Sequence, residues 1–177
     1  MKRALYFILF YVISIHVFSQ DIADLERNPS FKGITIGAPI SRYSDILTFS
    51  HTSQAGNVYR VNQSSYLSIF NIKMQEMLVV EKEGKVYTIF LKKTYPSDKS
   101  GVNVFNANEL LSLYSNLRSK YGNNSFSLDD MSGTPSVCGM RWKAYSVVLD
   151  IVYLFYGTSS DGDSRLSYML YQREDDY

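Results

Sequence analysis

The stretch EMLVVEKEGKVYTIFLKK, residues 76–93, constrains this chain more than any other. Met77 to Lys82 and Lys85 to Lys92 are two β-rich arms around Glu83-Gly84. A glycine at the tip supplies the positive φ that tight hairpin turns require. Period-two alternation begins near Val58 and runs through NVYRVN and YLSIFNIKM into this hairpin. Such alternation marks strands with one face buried. Sequential strands joined by tight turns pair antiparallel. The sheet must therefore be largely antiparallel.

One strong helix interrupts it. In FNANELLSLYSNLRSKYGN, Asn106 is placed to cap and Glu109 follows three residues on, as in a capping box. Leu110, Tyr114, Leu117 and Tyr121 recur at helical spacing, with Leu113 beside them. Arg118 and Lys120 suit the last turn, and Gly122 suits the stop. A second, shorter helix is expected over Ser41 to Phe49. Ser41 serves as its N-cap, and Tyr43, Ile46 and Leu47 share a face. FKGITIG, residues 31–37, reads as a short strand before it, and HTSQAGN, residues 51–57, as a turn after it. MRWKAYS, VVLDIVYLFYG and RLSYMLYQRE read as further strands. The expected fold is α+β: a mostly antiparallel sheet of about six to eight strands, with two separated helices packed on one face.

The N-terminus reads MKRALYFILFYVISIHVFSQ. Lys2 and Arg3 precede an apolar run from Leu5 to Phe18, and Val17 and Ser19 fit a small-residue cleavage site. That is the layout of a secretory signal peptide over residues 1–19. The apolar run is shorter than the roughly 17–25 residues a spanning helix needs. No stable membrane span is expected after cleavage. No cysteine lies at the cleavage site, so a lipid anchor is not expected. Residues 20–177 then form a single domain, large enough for a real core. A polar loop is expected at about 123–138. The expected location is periplasmic or extracellular, in a Gram-negative bacterium.

Charge and cysteine content narrow the function. The formal net charge is +1, and loss of Lys2 and Arg3 brings it to about −1. No basic stripe is visible, so nucleic acid is not an expected partner. Cys138 is the only cysteine, so the fold rests on packing without an internal disulfide. His51 is the one histidine after the leader. No G-x-S-x-G elbow, P-loop or dinucleotide fingerprint is present, and Gly33 and Gly37 read as a strand-to-helix corner. No catalytic residue, metal site or cofactor is expected. The carboxylates cluster as Asp129-Asp130, Asp161 and Asp163, and Glu174 to Asp176, all in expected loops or the tail. Water keeps carboxylates there ionised, against general-acid work.

Aromatic content is the unusual feature, with 15 tyrosines in 177 residues. Strand tyrosines pack across strands, or they form an exposed platform with ring area and a directional hydroxyl. The candidate binding surface comprises Tyr153, Tyr156, Tyr168, Tyr171 and Trp142. In YLFYG, Tyr153 and Phe155 face one way, Leu154 and Tyr156 the other.

Phe31, Gly33, Ile34, Ile36 and Gly37 precede a helix ending in Leu113, Leu117, Lys120, Tyr121 and Gly122, and a strand bearing Trp142 follows. In this order the chain resembles a large group of uncharacterised exported proteins from Bacteroides-type bacteria. Its first part resembles, more weakly, the BamE/SmpA outer-membrane assembly domains. No catalytic residues come with either resemblance. The reading is a non-catalytic exported module that binds an envelope protein or glycan through a sheet face or the 123–138 loop. One alternative is a hydrolase-like enzyme using His51, Cys138 or a loop carboxylate. Another is a self-assembling protein in which a strand such as 146–156 pairs with a copy of itself. The sequence leaves the oligomeric state open.

Overall fold

A computed structural model describes residues 22–95, 107–123, 126–128, 136–155 and 163–174. The fold is α+β. Two helices, α1 (Ile22–Arg27) and α2 (Ala107–Tyr121), accompany an eight-stranded antiparallel sheet. The strands of the main sheet are β3 (Leu47–Ser53), β4 (Gly56–Val61), β7 (Glu76–Lys82), β8 (Lys85–Tyr95), β9 (Phe126–Ser127), β10 (Ser136–Lys143), β11 (Val147–Phe155) and β12 (Ser164–Gln172). Their order across the sheet is β3-β4-β7-β8-β12-β11-β10-β9. Two small hairpins stand apart: β1 (Ser30–Phe31) with β2 (Ile34–Thr35), and β5 (Ser68–Ile69) with β6 (Ile72–Lys73).

The 76–93 stretch forms the β7–β8 hairpin as expected. Glu83 and Gly84 have φ of 55° and 77°, the paired left-handed conformation whose twist matches that of the strands. The buried Glu81 steadies the turn. Its carboxylate accepts from the Gly84 N–H at 2.5 Å and from the Asn57 side-chain amide at 2.7 Å.

Period two sorts the sheet into two faces. One carries Met77 and Val79 of β7, Ile89 and Leu91 of β8, Leu166 to Leu170 of β12 and Leu149 to Tyr153 of β11, taken at alternate positions and all buried. Leu110, Leu113, Leu117 and Tyr121 of α2 pack into the same core. Trp142 of β10 is fully buried there and donates its indole N–H to the Gly122 carbonyl at 3.0 Å. Glu109, in the first turn of α2, accepts from Lys93 at 2.6 and 2.8 Å and from the Tyr95 hydroxyl, which ties the helix to β8. The small hairpins and the segment through Ile46 cover the other half of this face with Ile34, Ile69 and Met74.

Several expectations change in detail. Residues 41–49 do not form an α-helix. Ile40–Tyr43 make one 3-10 turn, and Leu47 already begins β3, which runs through His51 to Ser53. The apolar residues there are too few to bury a helical face. Tyr43, Ile46 and Leu47 reach the core from the turn and the strand entry. The second helix is instead Ile22–Arg27, which packs Leu25 into the core beside α2. FKGITIG is a hairpin, because Lys32 and Gly33 both adopt positive φ, 48° and 85°. The 123–138 span contains β9 and the start of β10. Residues 124–125 and 129–135 of that span (Asp129 and Asp130 among them), the signal segment 1–19, and Tyr156, Asp161 and Asp175 to Asp176 lie outside the described residues. Among the described residues no helix is long and apolar enough to cross a membrane.

Candidate ligand-binding site

The second face of the sheet carries no described helix. Its side chains align in rows across the strands. One row runs Lys143, Val148, Tyr171, Thr88, Val80, Val58 and His51. The next runs Arg141, Asp150, Met169, Phe90, Leu78, Arg60 and Thr48. The middle of this face is apolar and half-buried, its β10 end basic.

The face is the inside of a curve. Gln54 and Ala55, which close the β3–β4 hairpin, share a cleft of about 610 Å³ with Arg141, Lys143, Val148 and Tyr171. In the strand order β4 and β10 are five positions apart. A flat sheet would separate them by about 24 Å, at roughly 4.8 Å per strand. Curling brings the hairpin tip over the face, and Val58 and Val148 are buried there, on the side with no described helix. Gly56 lets β4 lie close beside its sheet neighbour β7. A Cβ there would lie 2.1 Å from the Glu81 carbonyl oxygen.

The charge in the cleft is organised around Asp150, only 2 % exposed. It stands opposite Arg141 in the β10–β11 register. The guanidinium donates twice, Nε to Oδ1 at 2.8 Å and Nη2 to Oδ2 at 2.7 Å. The Tyr171 hydroxyl donates to Oδ2 at 3.1 Å. The bond to Asp150 pushes the Arg141 pKa up, so this cation is permanent. Burial, then the nearby Asp150 charge, raises the Tyr171 phenol to about 12. A buried carboxylate with three donors is satisfied, and it fixes the arginine in one orientation.

Tyr87 and Glu174 form the adjoining wall. Burial, then a hydrogen bond to Glu174, raises Tyr87 to about 12. Glu174 in turn is held below the ordinary carboxylate range by the Tyr87 hydroxyl and by Lys82, whose Nζ lies 3.0 Å away. The Lys82 ammonium also sits 5.0 Å from the Tyr87 ring centroid. A further cleft continues this wall past Lys85 and Arg173.

The tyrosine platform expected from the sequence is divided by the sheet. Tyr153, Tyr168 and Trp142 are 3 %, 2 % and 0 % exposed, and they pack in the core beneath α2. Strand parity puts them on the helix side, away from the cleft around Arg141. Tyr171 alone of the described four faces the cleft. Tyr156 lies outside the described residues. His51 is exposed on β3 in the helix-free row, while Cys138 packs against the core on the opposite face of β10. The two are not brought together. Among the described residues no three His, Cys, Asp or Glu side chains converge as metal ligands. Val147–Phe155 is an interior strand, paired by β10 on one side and β12 on the other, so it offers no edge for self-pairing.

Arg141, Lys143, Asp150 and Arg173 were not singled out by the sequence. A signal was present. In MRWK the cations alternate with Met140 and Trp142, and Asp150 breaks the apolar run VVLDIVY.

No protein-family model, no curated protein and no solved structure matches the chain.

Proposed function

We propose that the protein is an exported, non-catalytic module that binds another envelope component, a protein or a glycan, on the curved, helix-free face of its sheet. The single observation that carries this reading is the buried Asp150 on that face, which holds Arg141 towards an open cleft. A buried carboxylate is a costly way to hold a surface arginine if nothing meets that arginine. The half-buried apolar row beside it, Met169, Phe90 and Leu78, adds contact area. Export rests on the leader alone.

A photoreactive amino acid at Gln54, on the rim of the cleft, tests the surface. The same residue at Leu111, exposed on α2, is the control. In the envelope of the native host, one component is captured from Gln54 and none from Leu111. Capture from Leu111 alone, or from neither position, overturns the assignment. N-terminal sequencing of the exported form should return Gln20.

A further inference from the structure

On the helix side of the sheet, the two small hairpins and the end of α2 leave a cleft of about 240 Å³. Phe31 of β1, Ile69 and Phe70 of the β5–β6 hairpin and Leu117 of α2 make its apolar walls. Tyr121, the last residue of α2, and Tyr168 of β12 line it as well, and they are 3 % and 2 % exposed. Elsewhere the hydroxyls of Tyr43, Tyr95 and Tyr171 are engaged, with the Thr35 N–H, Glu109 and Asp150. Among the described residues, no hydrogen-bond partner reaches the hydroxyl of Tyr121 or of Tyr168. Burial pushes the Tyr168 phenol well above its ordinary range, so its proton stays in place as a donor. Buried polar groups are almost always hydrogen-bonded. Two idle phenols at one cleft therefore call for an acceptor brought from outside.

The walls are tied to one another. The Lys32 ammonium donates to the Ser65 carbonyl and to the Ser68 hydroxyl, the latter at 2.9 Å, and so joins the two hairpins. At the tip of β5–β6, Phe70 has φ of 45°, unusual for a phenylalanine, and its ring stays 36 % exposed at the cleft.

We infer that this cleft binds a small molecule of one aromatic ring that carries an oxygen acceptor. The oxygen takes the hydroxyls of Tyr121 and Tyr168, and the ring lies against Phe31 and Phe70. The cleft is smaller than the roughly 300–1,000 Å³ of sites for drug-sized ligands, which limits the occupant to about one ring. Phe31 and Tyr168 already meet with centroids 5.4 Å apart at 46°, and a further ring can join them by edge or face. Neutral phenols donate without requiring charge on the ligand. The cleft around Arg141 lies on the other face, so this site stands or falls independently of the binding-module reading.

The test is calorimetric titration of the mature chain with acetophenone. Ethylbenzene, which keeps the ring and lacks the oxygen, binds about tenfold more weakly. Cyclohexyl methyl ketone, which keeps the oxygen and lacks the aromatic ring, binds at least threefold more weakly. Tyr121→Phe and Tyr168→Phe each lower the acetophenone affinity by about fivefold and leave the unfolding temperature of the empty chain unchanged or higher. Tyr59→Phe, outside the cleft, leaves the affinity unchanged. Absence of acetophenone binding overturns the site. Equal binding of ethylbenzene overturns the acceptor, and equal binding of the cyclohexyl ketone overturns the ring. A lowered unfolding temperature in both cleft variants would mean that the hydroxyls are bonded within the folded chain, and the inference would fall with its premise.

Discussion

Arg141 and Asp150 stand directly opposite each other on neighbouring strands, and the guanidinium occupies both carboxylate oxygens at 2.8 and 2.7 Å. The carboxylate is buried while the arginine side chain keeps about a third of its surface, 35 % against 3 %. The pair is thus asymmetric. Losing the arginine strands a buried charge, whereas losing both removes the need for either.

Arg141→Met should therefore destabilise the fold by about 3 kcal/mol, the lower end for a broken buried pair because the arginine is partly solvated. The double change Arg141→Met with Asp150→Leu should recover most of that loss. Urea denaturation followed by circular dichroism measures both. A single variant within about 0.5 kcal/mol of the parent would mean that Asp150 is relieved by water, and the oriented fork would go with it.

Alkaline pH should weaken the fold through its tyrosines. Tyr87 and Tyr171 are raised from 10.0 to about 12, by burial first and by Glu174 and Asp150 next. Tyr95 and Tyr168 are raised further, chiefly by burial. In the unfolded chain these phenols ionise near 10, while the folded chain holds their protons. Stability is then complete below pH 10 and falls as pH climbs from 10 through 12. The paired substitution Tyr87→Phe and Tyr171→Phe should flatten the slope in that window. Phenolate absorbance and unfolding midpoints across pH 9 to 12 read both effects. Ionisation of every tyrosine near 10 in the folded protein would contradict the burial described.

The sheet was legible because period two and a Glu-Gly turn are local signals. The 76–93 hairpin needed nothing beyond its own residues. The 107–121 helix was legible for the same reason, through its stripe and its glycine stop. The site was not, because it depends on pairing between distant strands. Whether a tyrosine faces core or solvent is decided by the parity of its strand against the helix-covered side. Tyr168 and Tyr171, three residues apart, fall on opposite faces. Nothing near Arg141 in the sequence announces that Asp150 lies across from it, nor that Gln54 closes the cleft above. The 41–49 segment failed for a different reason. Its helical spacing is real, but Tyr43 reaches the core from a 3-10 turn over Ile40–Tyr43, and Ile46 from the turn that leads into β3.

Gly56 and Gly33 separate two kinds of glycine. Both have positive φ, 131° and 85°. A Cβ at Gly33 meets nothing within 4 Å, so Gly33→Ala should lose about 1 to 2 kcal/mol from left-handed backbone alone. A Cβ at Gly56 would lie 2.1 Å from backbone, and backbone cannot rotate aside. Gly56→Ala should therefore cost more, about 3 kcal/mol, and should lift the Gln54 rim away from Arg141. Thermal unfolding ranks the two variants. The reverse ranking would show that the β3–β4 hairpin does not press against β7 as described.

Trp142 is the only tryptophan, so the chain carries its own reporter of how α2 docks. The indole is fully buried, lies 6.2 Å from the Tyr114 ring, and bonds to the carbonyl of Gly122, the residue that ends α2 at φ 79°. Its emission should be blue-shifted in the folded chain and resistant to acrylamide, and should move to the red on unfolding. Trp142→Phe removes the donor and opens space where ring and helix end meet, at a cost of about 2 to 3 kcal/mol. Leu113→Ala, on the same face of α2, should shift the emission red while the tryptophan itself is untouched. Red, readily quenched emission from the native protein would mean that the helix does not seal this face, and the division of the sheet into a closed side and an open side would fail with it.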